Sequence, residues 1–496
     1  MKKIIIIGGG IAGLSAGIFA QKNGFESVIL EINHNLGGEC TGWDRQGYHI
    51  DGCIHWLVGT KPGTPIHDLW VTVGALNGVG IYHPESFLAF EHDGIIVHFY
   101  RDLDRLRSSW LELSPEDKAA IEDFCQVIRK LQSYETPVEK PEDLMTLMER
   151  IRLMISLKDA GTVMQKYGKV SLKDYSNTFK HPALQAALAS FLPEGYSASF
   201  IFFALAAFTR GQASIPYGGS KALATRMVER YLTLGGAIEA PCEAVELTIA
   251  HNKVNSVICH NGKIFEADYV IAACDAHVLY ERLLKGEYPD RAFQKRYSNP
   301  TDYPLASQIL VALGYEGTIG ALPRSLSFPA VPFEIHQSTI NRLTMTHYRH
   351  EPAFAPEGHT LITCSINQFH EDYEAWDALA RDPEAYTREK EKIGKAVLRA
   401  IETRFPRMKG KLKVLDVATP KTYERYCNAY RGAFMPFLLT VRGKMMAHTG
   451  RIKGLDNLFL TGQWLQPPGG LPVAVVTGKD TIMRLCKQEK KPFVSV

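Results

Sequence analysis

The stretch KIIIIGGGIAGLSAG, residues 3–17, constrains the fold more than any other part of the 496-residue chain. Four consecutive isoleucines bounded by glycine offer no polar face, as expected of a short parallel strand covered on both sides. After the glycines, Ile11, Leu14, Ala16, Ile18 and Ala20 lead to Asn23-Gly24, a plausible helix end. ESVILE then reads as a second buried strand ending at Glu31. The spacing predicts a βαβ unit.

Two motifs overlap here. Gly8, Gly10 and Gly13 spell the dinucleotide fingerprint G-x-G-x-x-G, while Gly13, Ser15 and Gly17 spell the G-x-S-x-G elbow of serine hydrolases. An elbow needs its serine on the sharp turn directly after the strand, and Ser15 falls about two turns inside the expected helix. The glycines, in contrast, lie at the turn. Gly8 permits the bend, Gly10 lets a pyrophosphate approach the backbone, and Gly13 permits close helix packing. Phosphate would rest on the helix N-terminus, at the N–H groups of Ile11 and Ala12. Glu31 follows Gly8 by 23 residues, near the position from which an acid binds a ribose hydroxyl and disfavours a 2′-phosphate. Dinucleotide binding is the reading on which strand, turn, helix and acid agree.

Length favours two domains. A hydrophobic share of 45% and a charged share of 22% are those of a globular chain, and a net charge of +3 gives no footprint for nucleic-acid binding. The nine cysteines contain no C-x-x-C pair, which argues against a disulfide scaffold and against structural zinc, and no metal triad stands out. The apolar run after the two N-terminal lysines breaks too early for a signal peptide, and no run is long enough for a spanning helix. The chain reads as cytoplasmic.

The segment LGGECTGWDRQGYHIDGCIHW carries Gly37-Gly38, then Arg45, Gly47, Tyr48 and Asp51. With IPYGGSKALATRMVERYLTLGGAI (215–238) and GLDNLFLTGQWLQPPGGLPVAVVTGK (454–479), it resembles the phytoene desaturase, carotenoid isomerase and retinol saturase group of flavoproteins. The resemblance implies an α/β fold: a Rossmann-type FAD-binding domain, glutathione-reductase-like, with an inserted α+β substrate domain. It implies FAD rather than NAD as cofactor, held by the glycines and Glu31 already named. Further contacts would come from Val245, Gly462, Gln463, Gly469, Gly470, Leu471 and Pro472. A helix opening at Gly469–Pro472 would stabilise negative charge on a reduced flavin. Two positions depart from the group: Glu39-Cys40 follow the paired glycines where relatives commonly have Arg, and Gln463-Trp464 follow Gly462 where Asp is common.

A hairpin is expected at Asn261-Gly262, followed by a buried strand, DYVIAA. The flavin domain is then discontinuous, 1–95 with 213–290 and 440–496. The substrate domain comprises 96–212, mostly helical, and 291–439, with strands LASQILVALGY and HTLITCSIN and a helix burying Ile393, Val397, Ile401 and Phe405. Ser114-Pro115-Glu116-Asp117 is a helix start. LMTLMERIRLMISL and SFIFFALAAF read as core; the functional alternative is a lipophilic tunnel wall, or a membrane-surface patch with Arg150, Arg152 and Lys158 near lipid phosphates.

His55 is a candidate for proton transfer near the flavin or a packing histidine. Tyr423, Arg425 and Tyr426 resemble a group segment beside the substrate cavity, suited to positioning or proton donation. His347 and His350 lack a partner Glu motif and read as a surface loop. Cys40 and Cys53 read as structural thiols. The expectation is an FAD-dependent oxidoreductase that adds or removes hydrogen at a carbon–carbon bond of a hydrophobic, polyene-like substrate. A redox-neutral polyene isomerase and a non-catalytic lipid carrier of the GDP-dissociation-inhibitor type are the alternatives. No second glycine fingerprint offers an NAD(P)H domain, so electrons would pass through transiently bound NAD(P)H, a quinone, oxygen or another protein.

Overall fold

A computed structural model describes residues 1–193 and 195–495. Its first element is the strand Lys3–Ile7, in which Ile4, Ile5 and Ile6 are wholly buried. It sits at the centre of a parallel five-stranded sheet ordered Ala237–Glu239, Glu26–Leu30, Lys3–Ile7, Tyr269–Ala272 and Leu458–Leu460. Central position explains the unbroken apolar run, since both faces are covered: Ile4 and Ile6 pack among helices, and Ile5 and Ile7 against Leu247, Val254 and Val257 of a small antiparallel sheet. The helix Ile11–Lys22 packs against the C-terminal helix Leu471–Gln488. The approach is close: a Cβ on Gly478 would stand 2.5 Å from the Ala12 carbonyl oxygen. Ser15 is buried in this seam and donates its hydroxyl to the Val475 carbonyl at 2.6 Å. It ties two helices together and is no nucleophile on a turn.

The Asn261-Gly262 turn joins Lys253–Cys259 to Ile264–Glu266, which with Ala244–Ala250 form a small antiparallel sheet. The second large unit is a seven-stranded sheet ordered Leu412–Ala418, Ser307–Glu316, His359–Gln368, Ser338–His347, Ser325–Ile335, Ser86–His92 and Ile95–Tyr100. Ile393, Val397 and Ile401 of the helix Pro383–Arg404 are buried within its core. The hairpin Ser86–Tyr100 pairs with Ser325–Ile335, so a division at residue 95 falls inside this sheet. Local polarity gives no hint of that, because the pairing is between strands more than 200 residues apart.

Ser114 and Pro115 open a helix as expected, the turn Pro115–Asp117 leading directly into Lys118–Leu131, and the Asp117 carboxylate accepts from the Lys180 and His181 N–H groups. Two expected elements differ. His347 is not on a surface loop. It ends a strand, is 2% exposed, and burial pushes its imidazole down to about 4. SFIFFALAAF is core, as Ser199–Thr209, whereas LMERIRLMIS forms the helix Leu147–Ser156 with no buried residue. Glu149, Arg150 and Arg152 interrupt the charged segment and no charge interrupts the core one, but sequence does not show that the apolar arc of Leu147–Ser156 is left uncovered.

Candidate functional site

A cavity of about 430 Å³ lies at the carboxyl ends of the parallel strands, the place where open α/β sheets receive ligands. Each strand end feeds it: Gly8 after the first, Glu31 after the second, Ala273–Asp275 after the fourth and Thr461-Gly462 after the last. Gly8 has φ +104°, and a Cβ there would sit 2.8 Å from the Ala273 carbonyl oxygen. Gly13 does not line the cavity. A Cβ there would stand 2.0 Å from the Gly8 oxygen, so this glycine serves the seating of helix on strand. A Cβ on Gly10 would meet nothing closer than Gly37 O and Gly38 Cα, both at 3.9 Å. The space beside Gly10 is therefore left to a ligand.

The first intrahelical bond runs from Leu14 N–H to the Gly10 carbonyl. It leaves the N–H groups of Ile11, Ala12 and Gly13 without helix partners at the positive end of the helix dipole. Gly37 donates to the Gly9 carbonyl at 2.9 Å and bridges to Gly10, bringing the paired glycines against the fingerprint loop. Glu31 is 4% exposed, with Oε2 accepting from Gly9 N–H at 2.7 Å and Oε1 from Asn33 N–H at 2.9 Å. Burial raises its carboxyl above the usual range.

Gly462, Gln463, Gly469, Gly470, Leu471 and Pro472 line the opposite wall. Gln463 organises it: its amide donates to the Phe434 carbonyl at 3.0 Å and to Glu39 Oε2 at 3.4 Å, and its oxygen accepts from Gly470 N–H at 2.9 Å. Thr461 Oγ1 is buried against the cavity without a hydrogen-bond partner, a group a polar ligand would satisfy. A pyrophosphate-bearing dinucleotide fits this chain on three counts: the unpartnered hydroxyl, the room at Gly10 and the helix N-terminus. Sequence reading missed Thr461 and Asp275, although both directly follow strand ends and the strand-end rule points to such positions.

The lining residues include Glu31, Glu39, Glu243 and Asp275 and no Lys or Arg. Burial, and next the charge of Asp275, push the Glu39 carboxyl up to about 8; burial pushes Asp275 up to about 7. A phosphate here would have backbone N–H groups rather than cations to hold it among the described lining residues.

His55 faces the cavity, its side chain exposed there, and desolvation by the surrounding chain together with the nearby Arg324 guanidinium lowers its pKa. Arg425 and Tyr426 lie elsewhere. On the helix Pro420–Cys427, Tyr423 and Cys427 point to the cavity, while Tyr426 is 41% exposed and Arg425 lines a separate surface groove. One helical face cannot carry residues 423 and 425 together. Tyr423 replaces them at the cavity, its oxygen accepting from Gln308 Nε2 at 2.9 Å. Val245 also falls outside: its side chain is 40% exposed, and the segment reaches the cavity through Cys242, Glu243 and Ala244. Cys40 and Cys53 line the cavity, and contact with Cys40 and then burial push the Cys53 thiol up, away from a reactive thiolate. Among the described residues no group of His, Cys, Asp and Glu is placed to hold a metal ion.

The far side of the cavity is apolar. Trp56, Val58 and Phe200 also border an adjoining pocket of about 160 Å³, a branch lined mainly by Leu131, Tyr134, Phe203 and alanines, with Arg210 and Gln212 beside them. Trp56 meets Phe87 edge-on, and Tyr134 meets Phe203 likewise.

The sequence model of the flavin containing amine oxidoreductases matches residues 11–482. The chain is 25% identical to the phytoene desaturase (lycopene-forming) of Pseudescherichia vulneris, across 97% of this chain and 98% of that one. It is 22% identical to the all-trans-retinol 13,14-reductase of Danio rerio, covering 92% and 82%. It is 21% identical to the chloroplastic prolycopene isomerase of Arabidopsis thaliana, covering 96% and 81%. An oxidoreductase from Methanosarcina mazei shares the fold with a TM-score of 0.62 at 17% identity, covering 97% of this chain and all of that one. These matches place the chain among enzymes rather than among carriers, with a flavin as cofactor.

Proposed function

Since the chain belongs to the flavin containing amine oxidoreductase family, we propose that it adds or removes hydrogen at a carbon–carbon bond of an elongated, polyene-like substrate. The observation that carries this reading is a cavity and an adjoining pocket of unlike character, which share the walls Trp56, Val58 and Phe200: glycine backbone and a helix N-terminus line the first, and Phe203 and Tyr134 the second. FAD, when bound, supplies hydride-level redox chemistry; the rest falls to the chain.

Gly10, the first N–H groups of Ile11–Lys22 and Thr461 Oγ1 would hold the pyrophosphate side, with Glu31 as the ribose acceptor. The Gln463–Gly470 bond fixes the turn that opens the last helix, whose N-terminus favours negative charge beside it. The apolar branch binds a hydrocarbon chain by burial and excludes water. Tyr423 keeps its proton, because burial raises its pKa by more than the Gln308 amide, which donates to its oxygen, lowers it; its Oη–H is free to donate toward the cavity. His55, held neutral, is suited to accept a proton at a ring nitrogen. Electrons would pass to or from transiently bound NAD(P)H, a quinone or a protein partner.

Anaerobic mixing of the flavin-loaded enzyme, oxidised or reduced, with carotenoids, retinoids and unsaturated fatty acids tests the reading. A change of flavin redox state with one of these classes is expected. Double-bond isomerisation without net flavin oxidation would assign the isomerase chemistry of the relative from Arabidopsis thaliana. Reduction by amines alone would overturn the substrate class.

A further inference from the structure

The helix Leu147–Ser156 buries none of its residues, yet it is firmly built. Thr146 and Glu149 close a capping box, and Lys140 donates to Glu149 at 3.0 Å. Leu147 is 74% exposed, Met148 60%, Ile151 41%, Met154 74% and Ile155 69%. At about 100° per residue these five side chains fall within one arc of about 120°. Arg150 and Arg152 flank the two edges of that arc, and Lys158 follows the helix end; all three are exposed. No salt bridge joins any of the three to a described residue, and the nearest acids are engaged, Glu149 by Lys140 and Asp159 by Lys130. The arc itself carries no acid.

We infer that this helix docks the protein on an anionic lipid surface, its apolar arc among the acyl chains and Arg150, Arg152 and Lys158 at the lipid phosphates. Long basic side chains beside an apolar stripe suit that boundary. A second copy of the chain on this face would set the arginines of both copies together with no acid between them, so a bilayer is the matching occupant. The placement has a further consequence, which rests on the reading of the cavity given above. Leu131, Tyr134 and Thr136, which border the apolar branch, lie on the segment that leads into this helix. An elongated apolar substrate would pass from lipid into the branch without crossing water.

Flotation of the full-length, FAD-loaded protein with phosphatidylcholine vesicles, with and without phosphatidylglycerol, tests the inference. The protein should float with the anionic vesicles and partition about tenfold less in high salt. A Met154→Glu/Ile155→Glu variant should float at least about tenfold less, with unchanged flavin spectrum and Tm, because both positions are exposed. An Arg150→Glu/Arg152→Glu variant should lose the preference for phosphatidylglycerol. Wild-type protein that stays unbound, a double variant that floats equally well, or a dimer that Met154→Glu splits in sedimentation would overturn docking. Vesicle binding is read without turnover, so docking with no polyene reaction would leave it standing while removing the catalytic reading.

Discussion

At one end of the cavity the chain meets its ligand with backbone; at the other it does so with side chains. Gly10, Gly37 and the opening of Ile11–Lys22 form a surface whose shape depends on missing Cβ atoms. Trp56, Phe200, Phe203 and Tyr134 form a surface whose value lies in its bulk. On the proposed reading the first end would tolerate few substitutions and bind one chemical group. The second would tolerate many and admit a class of molecules, because burial is non-directional. Cofactor identity and substrate identity would then be specified by different physics in adjoining space.

The largest effect that could break this contrast comes from two glycines three residues apart. Gly10→Val should fold with a Tm close to wild type and lose FAD affinity by at least about 100-fold, since its side chain enters ligand space rather than protein. Gly13→Val should lose both flavin and fold, because its Cβ would stand 2.0 Å from the Gly8 carbonyl oxygen. Absorbance of the purified proteins and thermal melts check both. Equal behaviour of the two variants would erase the distinction between a ligand-facing and a packing glycine.

At the apolar end a smaller change is expected. Phe203→Ala should raise KM for a polyene about tenfold with little change in the flavin spectrum, by removing aromatic area from the branch. A shifted flavin spectrum with unchanged KM would show that the two ends are not separate.

The smallest effect concerns pH. Glu39 and Asp275 have carboxyls raised to about 8 and about 7, from 4.5 and 3.8 when unstrained by the fold. The folded state therefore favours the protonated forms. That contribution is complete below about pH 4 and is lost as pH rises through about 8, so the Tm of the flavin-free protein should decline across this window. FAD affinity should decline with it, as carboxylates form beside a pyrophosphate. Glu39→Gln should flatten the upper part of both curves. Parallel curves for wild type and variant would show Glu39 ionised throughout.

The two ends also differ in how far they can be read from residues alone. The fingerprint loop, Glu31, Gly37-Gly38 and Gly462–Pro472 are local, because a tight turn and a close approach require glycine at fixed spacing, and they all line or support one cavity. The substrate end is assembled from Trp56, Phe200 and Tyr134, which any apolar residue of like size could replace. The same limit explains Tyr423: its segment was recognisable, but only helical phase separates it from Arg425 and Tyr426. It explains Leu147–Ser156 as well, where burial depends on what the rest of the chain leaves uncovered. Glu39 sits between these cases, a visible departure from the arginine of relatives whose consequence appears only once Asp275 and Gln463 are seen beside it.

The most direct test of the account is a crystal structure of the protein with FAD. It should show the pyrophosphate over Gly10 at the N-terminus of Ile11–Lys22, the ribose at Glu31, and the flavin ring between Gly469-Gly470 and Trp56 with one face on the apolar branch. A pyrophosphate bound away from Gly10, or a ring turned to solvent with the branch closed off, would contradict it.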